Sequence, residues 1–156
     1  MSDRPEPPFL LDVMLGKLAV YLRLCGYDTV YALDRDVEAD DAVLELAERE
    51  GRTVLTRDVH LSNRAERGFL LTERDPLDQL AELAAAGLRL EPTDEPVRCG
   101  RCNGEMVAVG GDEVTPKYAP DPTDTAQWRC TACGQVFWKG SHWDRMRETL
   151  REVRES

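Results

Sequence analysis

Two sets of side chains in this 156-residue sequence have the types and spacing to hold metal ions. The first is made of thiols. Cys99 and Cys102 form one C-x-x-C pair, Cys130 and Cys133 a second, and 27 residues separate the pairs. A C-x-x-C turn brings two sulfurs to one point, and two such turns complete a closed tetrahedral shell around Zn²⁺. Thioredoxin-type redox chemistry uses a single pair at a helix start. Here both pairs lie in turn-like, glycine-bearing segments, Cys-Gly-Arg-Cys-Asn-Gly and Cys-Thr-Ala-Cys-Gly. The expected role is structural, to fold a segment too short to build its own core.

The second set is made of carboxylates. Asp12 follows the apolar run Phe9-Leu10-Leu11, Asp58 follows Thr53–Thr56 by way of Arg57, and Asp41 opens the segment Asp40–Glu50. Acids gathered at one rim repel one another unless a divalent cation lies between them, and hard oxygen ligands suit Mg²⁺ or Mn²⁺. Such a cation activates a water and offsets charge on a phosphodiester. The competing role for any one of these acids is helix capping. Asp40 is assigned to capping and Asp41 to the site.

The elements that must position these residues follow from periodicity. Short apolar runs at Phe9–Leu11, Thr29–Leu33, Thr53–Thr56 and Phe69–Thr72 predict strands. Helical spacing predicts helices over Met14–Cys25, Asp40–Glu50, Val59–Arg67 and Pro76–Ala86. Gly26, Gly51 and Gly87 serve as stops, and Asp75 with Pro76 as a start. Strands alternating with helices predict a parallel sheet with helices on both faces, whose site lies beyond the strands' carboxyl ends. Asp12 and Asp58 stand at two such ends. Glu91–Pro96 reads as a linker, which divides the chain into residues 1–90 and residues 91–156. The insert between the cysteine pairs, with its glycines and prolines, predicts hairpins and loops. Met146, Leu150 and Val153 mark a C-terminal helix over Ser141–Ser156.

Composition narrows the class. A net charge of −10 excludes a general nucleic-acid coating protein, though not a nuclease whose cations supply positive charge locally. Seventeen of the 20 basic residues are Arg, the better bidentate phosphate partner. No apolar run is long enough to span a membrane. The polar, proline-bearing start Met1–Pro8 lacks a signal-peptide layout, so cytoplasm is the expected compartment. There, paired C-x-x-C motifs mean metal rather than disulfides. Cys25, alone in an apolar stretch, reads as a buried thiol.

Several blocks together resemble a known family. Phe9-Leu10-Leu11-Asp12, Met14-Leu15-Gly16-Lys17-Leu18-Ala19, Leu22-Arg23 and Gly26-Tyr27-Asp28 are similar to the Mut-seven C-terminal RNase domains, which are PIN-like nucleases. The likeness continues through Asp41-Ala42-Val43-Leu44, Ala47, Arg52–Asp58, Gln79-Leu80 and the cysteine region, to Phe137-Trp138-Lys139-Gly140-Ser141-His142-Trp143. The resemblance implies an α/β, PIN-like parallel sheet flanked by helices, followed by a small zinc ribbon. It also implies a metal-dependent ribonuclease whose metal-binding acids are Asp12, Asp41 and Asp58. Asp75 is a candidate fourth acid, in competition with its cap. Val20 and Cys25 depart from the bulkier apolar residues usual in the family.

Lys17 and Arg57 are the candidate RNA phosphate partners. Lys17 and Arg23 lie six residues apart, on roughly opposite helix faces, so they cannot serve one phosphate together. For all three the alternative is a solvated surface charge. His60 is expected at an exposed helix start. His142 is not needed by a zinc ion already held by four thiolates, and Trp138 and Trp143 are expected to pack the ribbon. The leading expectation is a Mg²⁺- or Mn²⁺-dependent endoribonuclease in which the ribbon positions RNA or a protein or ribosome partner. The alternative is a non-catalytic RNA- or ribosome-associated zinc-ribbon module. A toxin of a toxin–antitoxin pair is a third reading, against which the ribbon speaks.

Overall fold

The computed structural model describes residues 4–155. The first residues of the polar start expected over Met1–Pro8, and the last residue of the C-terminal helix, lie outside them. Four short strands build a parallel sheet: β1 (Phe9–Leu11), β2 (Thr29–Tyr31), β3 (Thr53–Thr56) and β4 (Gly68–Leu70), in the order β2-β1-β3-β4. The central strands are buried along their whole length, as strands covered on both faces must be. Alternate residues of β1 go to opposite sides. Phe9 and Leu11 join a core with α1 (Gly16–Leu24), α4 (Pro76–Ala85) and α5 (Ser141–Glu155). Leu10 joins a second core with α2 (Asp40–Glu50) and α3 (Val59–Arg64). β1 connects outward to β2 on one side, and β3 lies on its other side. The gap beyond the carboxyl ends of β1 and β3 is therefore the topological switch point.

The alternation of strands and helices matches expectation, and the differences have local causes. The first helix starts at Gly16 rather than Met14, because Met14 takes φ 75°, a left-handed conformation that ends any helix. Its N–H donates to the Tyr31 hydroxyl. β2 stops at Tyr31, where a 3₁₀ turn over Ala32–Arg35 takes over. Asp40 does not cap α2. Ala39 holds the cap position without a side-chain bond, and Asp40 and Asp41 both lie in the first turn, where the helix dipole favours them. Asp75 and Pro76 start α4 as expected, with the Asp75 carboxylate accepting the N–H of Leu77. The fourth strand ends at Leu70, and Thr72 bonds to the Glu82 carboxylate instead of pairing in the sheet.

Arg23 is neither a surface charge nor a phosphate partner. Its side chain is 3% exposed. Its Nε donates to the Thr29 carbonyl and its Nη1 to the Gly100 carbonyl, each at 2.9 Å, and Asp34 lies 3.6 Å from Nη2. Burial lowers its pKa, which Asp34 opposes. Arg23 thus joins α1 and β2 to the cysteine region. The second sheet is antiparallel: β5 (Met106–Ala108), β6 (Gln127–Cys130) and β7 (Val136–Trp138). The chain then returns through α5, whose Met146 and Leu150 are buried in the core of the first sheet. Among the described residues no helix is long and apolar enough to cross a membrane.

Candidate metal centres

The four Sγ atoms of Cys99, Cys102, Cys130 and Cys133 lie within 4.8 Å of one another. Cys99 and Cys133 are 3.7 Å apart, Cys102 and Cys130 3.5 Å. A tetrahedron of Zn–S bonds of ~2.3 Å sets sulfurs about 3.8 Å apart, so the thiols already stand near the corners a zinc ion requires. The first knuckle turns through Asn103 at φ 73°. Gly104 must be glycine on steric grounds: a Cβ there would meet Cys130 Sγ at 2.6 Å and Cys102 Sγ at 3.3 Å. Burial pushes the Cys99 thiol up to about 12. Burial also acts to raise Cys130. The backbone N–H groups of Cys133 and Ala132, with the side chains of Cys102 and Cys133, outweigh it and bring that thiol down to about 7. All four ligands come from turns and strand ends, which explains why a 27-residue gap in sequence closes in space. His142 is exposed on α5 and is not part of the sulfur cluster.

Two of the carboxylates, Asp12 and Asp58, follow the ends of β1 and β3 at the switch point of the parallel sheet. Asp12 leaves the end of β1, with its N–H on the Leu55 carbonyl of β3 at 3.1 Å. Its Oδ1 accepts the N–H of Val13 at 2.9 Å and its Oδ2 accepts the Thr56 hydroxyl at 2.8 Å. That same hydroxyl accepts the N–H of Asp58 at 3.0 Å. Thr56, fully buried at the end of β3, therefore ties Asp12 to the backbone of Asp58. It is a site residue that spacing alone does not single out. Its only signal is a hydroxyl two residues before an acid at a strand end. Asp58 also caps α3, its Oδ1 accepting the N–H of Leu61 at 3.2 Å.

Asp41 has a different partner. Its Oδ1 lies 2.6 Å from Arg64 Nη2 at the end of α3, and its side chain is 87% exposed. Among the described residues, the ligand set gathered around one point is that of the four cysteines. Asp12 and Asp58 are joined through Thr56, while Asp41 is engaged with a cation of the protein itself. Carboxylate oxygens are donors of the hard type that Mg²⁺ or Mn²⁺ takes. Each bonded oxygen of Asp12 and Asp58 retains a lone pair, and an exposed ion pair such as Asp41–Arg64 is weakly held because water screens it.

Lys17, in the first turn of α1, and Arg57, beside Asp58, are exposed and form no ion pair among the described residues. His60 is exposed in the first turn of α3, as expected. Cys25 is buried, and burial pushes its thiol up to about 12, which makes it inert.

Comparison with curated proteins and with solved structures yields no match. One family model does match, that of the Mut7-C RNAse domain, over residues 7–150. The match takes in the acids at the strand ends, all four clustered cysteines and the start of α5. With nearly its whole length so matched, the chain belongs to the Mut7-C RNAse domain family.

Proposed function

We propose that this protein is a Mg²⁺- or Mn²⁺-dependent endoribonuclease of PIN type, acting in the cytoplasm, with residues 1–90 carrying the chemistry and residues 91–156 a zinc-held ribbon. One observation carries the reading. The Thr56 hydroxyl links Asp12 and Asp58 across neighbouring strand ends, at the one place in a parallel sheet where a ligand finds a crevice. Asp12, Asp58 and Asp41 would hold the cation. When bound, it would lower the pKa of a water and offset charge on the scissile phosphate. Thr56 fixes the Asp12 carboxylate, so one ligand keeps its orientation before any substrate arrives. Asp41 joins by leaving Arg64. Lys17 and Arg57 offer uncompensated positive charge to phosphate oxygens on either side of the rim.

The test is cleavage of single-stranded RNA in Mg²⁺ or Mn²⁺ by the parent and by Asp12→Asn and Asp58→Asn proteins purified identically. An amide keeps shape and removes charge. Each variant should lose activity on the order of 10²-fold or more and keep the parent's unfolding midpoint within a few degrees. RNA binding should hold or tighten, because a negative charge near phosphate has been removed. Equal cleavage by parent and variants would reduce the protein to a binding module.

A further inference from the structure

The block Phe137–Trp143 lies far along the chain from the acids and takes no part in the reaction proposed above. All of it except Lys139 lines a groove of about 330 Å³ where the ribbon meets α1 and α5. That size lies within the ~300–1,000 Å³ of small-ligand sites. Phe137, Trp138 and Trp143 are half-buried, so each keeps some exposed surface. Trp138 is held in place by a stack on Tyr118, 6.2 Å between centroids. Gly140 lets the pyrrole edge of the indole approach the backbone, since a Cβ there would meet Trp138 Nε1 at 2.7 Å.

The charge around this groove is the reverse of the charge of the chain. Acids outnumber Lys and Arg 30 to 20 overall, yet among the described residues no Asp or Glu lines the groove, and its one lining arginine, Arg98, already pairs with Asp28 at 3.8 Å. At its lip Lys139 Nζ lies 4.9 Å from the centre of the Trp143 ring, and the Arg147 guanidinium 5.2 Å. Neither cation pairs with a carboxylate among the described residues. Two cations held by an aromatic ring keep their charge available for an anion. Partly exposed rings beside cations that form no ion pair suit single-stranded nucleic acid, which offers unstacked bases and a charged backbone.

We propose that this groove binds single-stranded RNA, taking an unstacked base between ribbon and α1 while Lys139 and Arg147 hold the flanking phosphates. The inference rests on the ribonuclease reading for the identity of its ligand. It assigns the ribbon a share of substrate recognition, and a preference for unpaired RNA.

The experiment uses the zinc-loaded full chain carrying Asp12→Asn, without Mg²⁺, and a labelled oligouridylate of about ten nucleotides, within the ~4–16-nucleotide span of such surfaces. Binding is read by fluorescence anisotropy across a salt series. Trp143→Ala should weaken binding by about 5–100-fold, the range for removing one base stack. The double change Lys139→Gln with Arg147→Gln lies on the surface and cannot unfold a core. It should reduce the salt slope by about 1.4, ~0.7 for each single-strand phosphate no longer neutralised by a side chain. An abasic oligomer should bind the parent no better than oligouridylate binds Trp143→Ala. The groove assignment is overturned if both variants bind oligouridylate like the parent, or if the abasic oligomer or a duplex binds the parent equally well. Cleavage by the protein with Asp12 intact is scored separately in Mg²⁺. Cleavage with unaltered binding by the groove variants removes the groove alone. Absence of cleavage with weakened binding by those variants removes the nuclease and leaves the groove.

Discussion

Asn103 closes the open edge of the parallel sheet by bonding Thr29. Its Oδ1 accepts the Thr29 N–H at 2.9 Å, and its Nδ2 donates to Asp28 at 2.7 Å. The residue next to Cys102 of the thiol cluster thus completes a strand more than seventy residues earlier in the chain. Asn103→Ala leaves the Thr29 N–H without its partner and places alanine at φ 73°. It should lower stability by about 2–4 kcal/mol, read by urea unfolding with zinc present.

Asp28 gives the protein a defined sensitivity to acid. Burial acts to raise its pKa, but hydrogen bonds from Arg52 and Asn103, and the charges of Arg52 and Arg98, lower it overall. A carboxyl whose folded pKa is depressed contributes its full stability above the unfolded value of about 3.9 and loses it as pH falls through the folded value. The parent should therefore lose stability progressively as pH falls below about 5, and Asp28→Asn should flatten that slope while lowering stability at neutral pH. An unchanged slope would place the acid sensitivity elsewhere.

Thr56→Val keeps the volume and removes the hydroxyl that joins Asp12 to Asp58. One carboxylate oxygen and one N–H lose their partner, at about 1–3 kcal/mol. Cleavage should fall with it, and more in kcat than in KM, because the ligand's orientation rather than RNA binding is disturbed. Thr56→Ser should restore most of the rate. Loss of stability with an unchanged rate would make the hydroxyl purely structural.

Arg64→Ala frees Asp41. The pair is exposed on both sides, so the unfolding midpoint should barely move. If Asp41 is a ligand, the Mg²⁺ or Mn²⁺ concentration giving half-maximal cleavage should fall. A rise would instead assign Arg64 to the substrate.

The thiols give a chemical count. With zinc bound, a thiol reagent should modify the chain slowly. After chelation it should titrate the four clustered cysteines, and the fifth, Cys25, only in denaturant, since burial holds its thiol at about 12. Gly104→Ala, with its Cβ 2.6 Å from Cys130 Sγ, should lose zinc to a weaker chelator than the parent does. Zinc must displace thiol protons, so the affinity of both proteins should fall as pH falls.

What the sequence makes legible is short-range. The strand runs are apolar throughout because both faces of the sheet are covered, and the cysteine pairs announce themselves by spacing. Asp12 and Asp58 follow from a rule about strand ends. What escapes depends on partners distant in the chain. Arg23 looks like any helical arginine until Thr29 and the Gly100 carbonyl close around it. The engagement of Asp41 with Arg64 spans 23 positions. Thr56 has an ordinary strand propensity that hides a buried hydroxyl. Met14, 91% exposed, shortens the first helix through a backbone conformation that no side-chain pattern encodes.

The return of α5 into the first core gives the ribbon two anchors instead of one. Leu150 is fully buried beside α1 and α4, so the residues from the linker to Ser141 form a loop fastened at both ends. A fastened loop that loses its internal structure spreads out without departing, since the entropy of closing it rises only with the logarithm of its length. Proteolytic nicking between the cysteine pairs would accordingly leave two fragments that still migrate as one particle, α5 remaining seated among the helices it grew up beside.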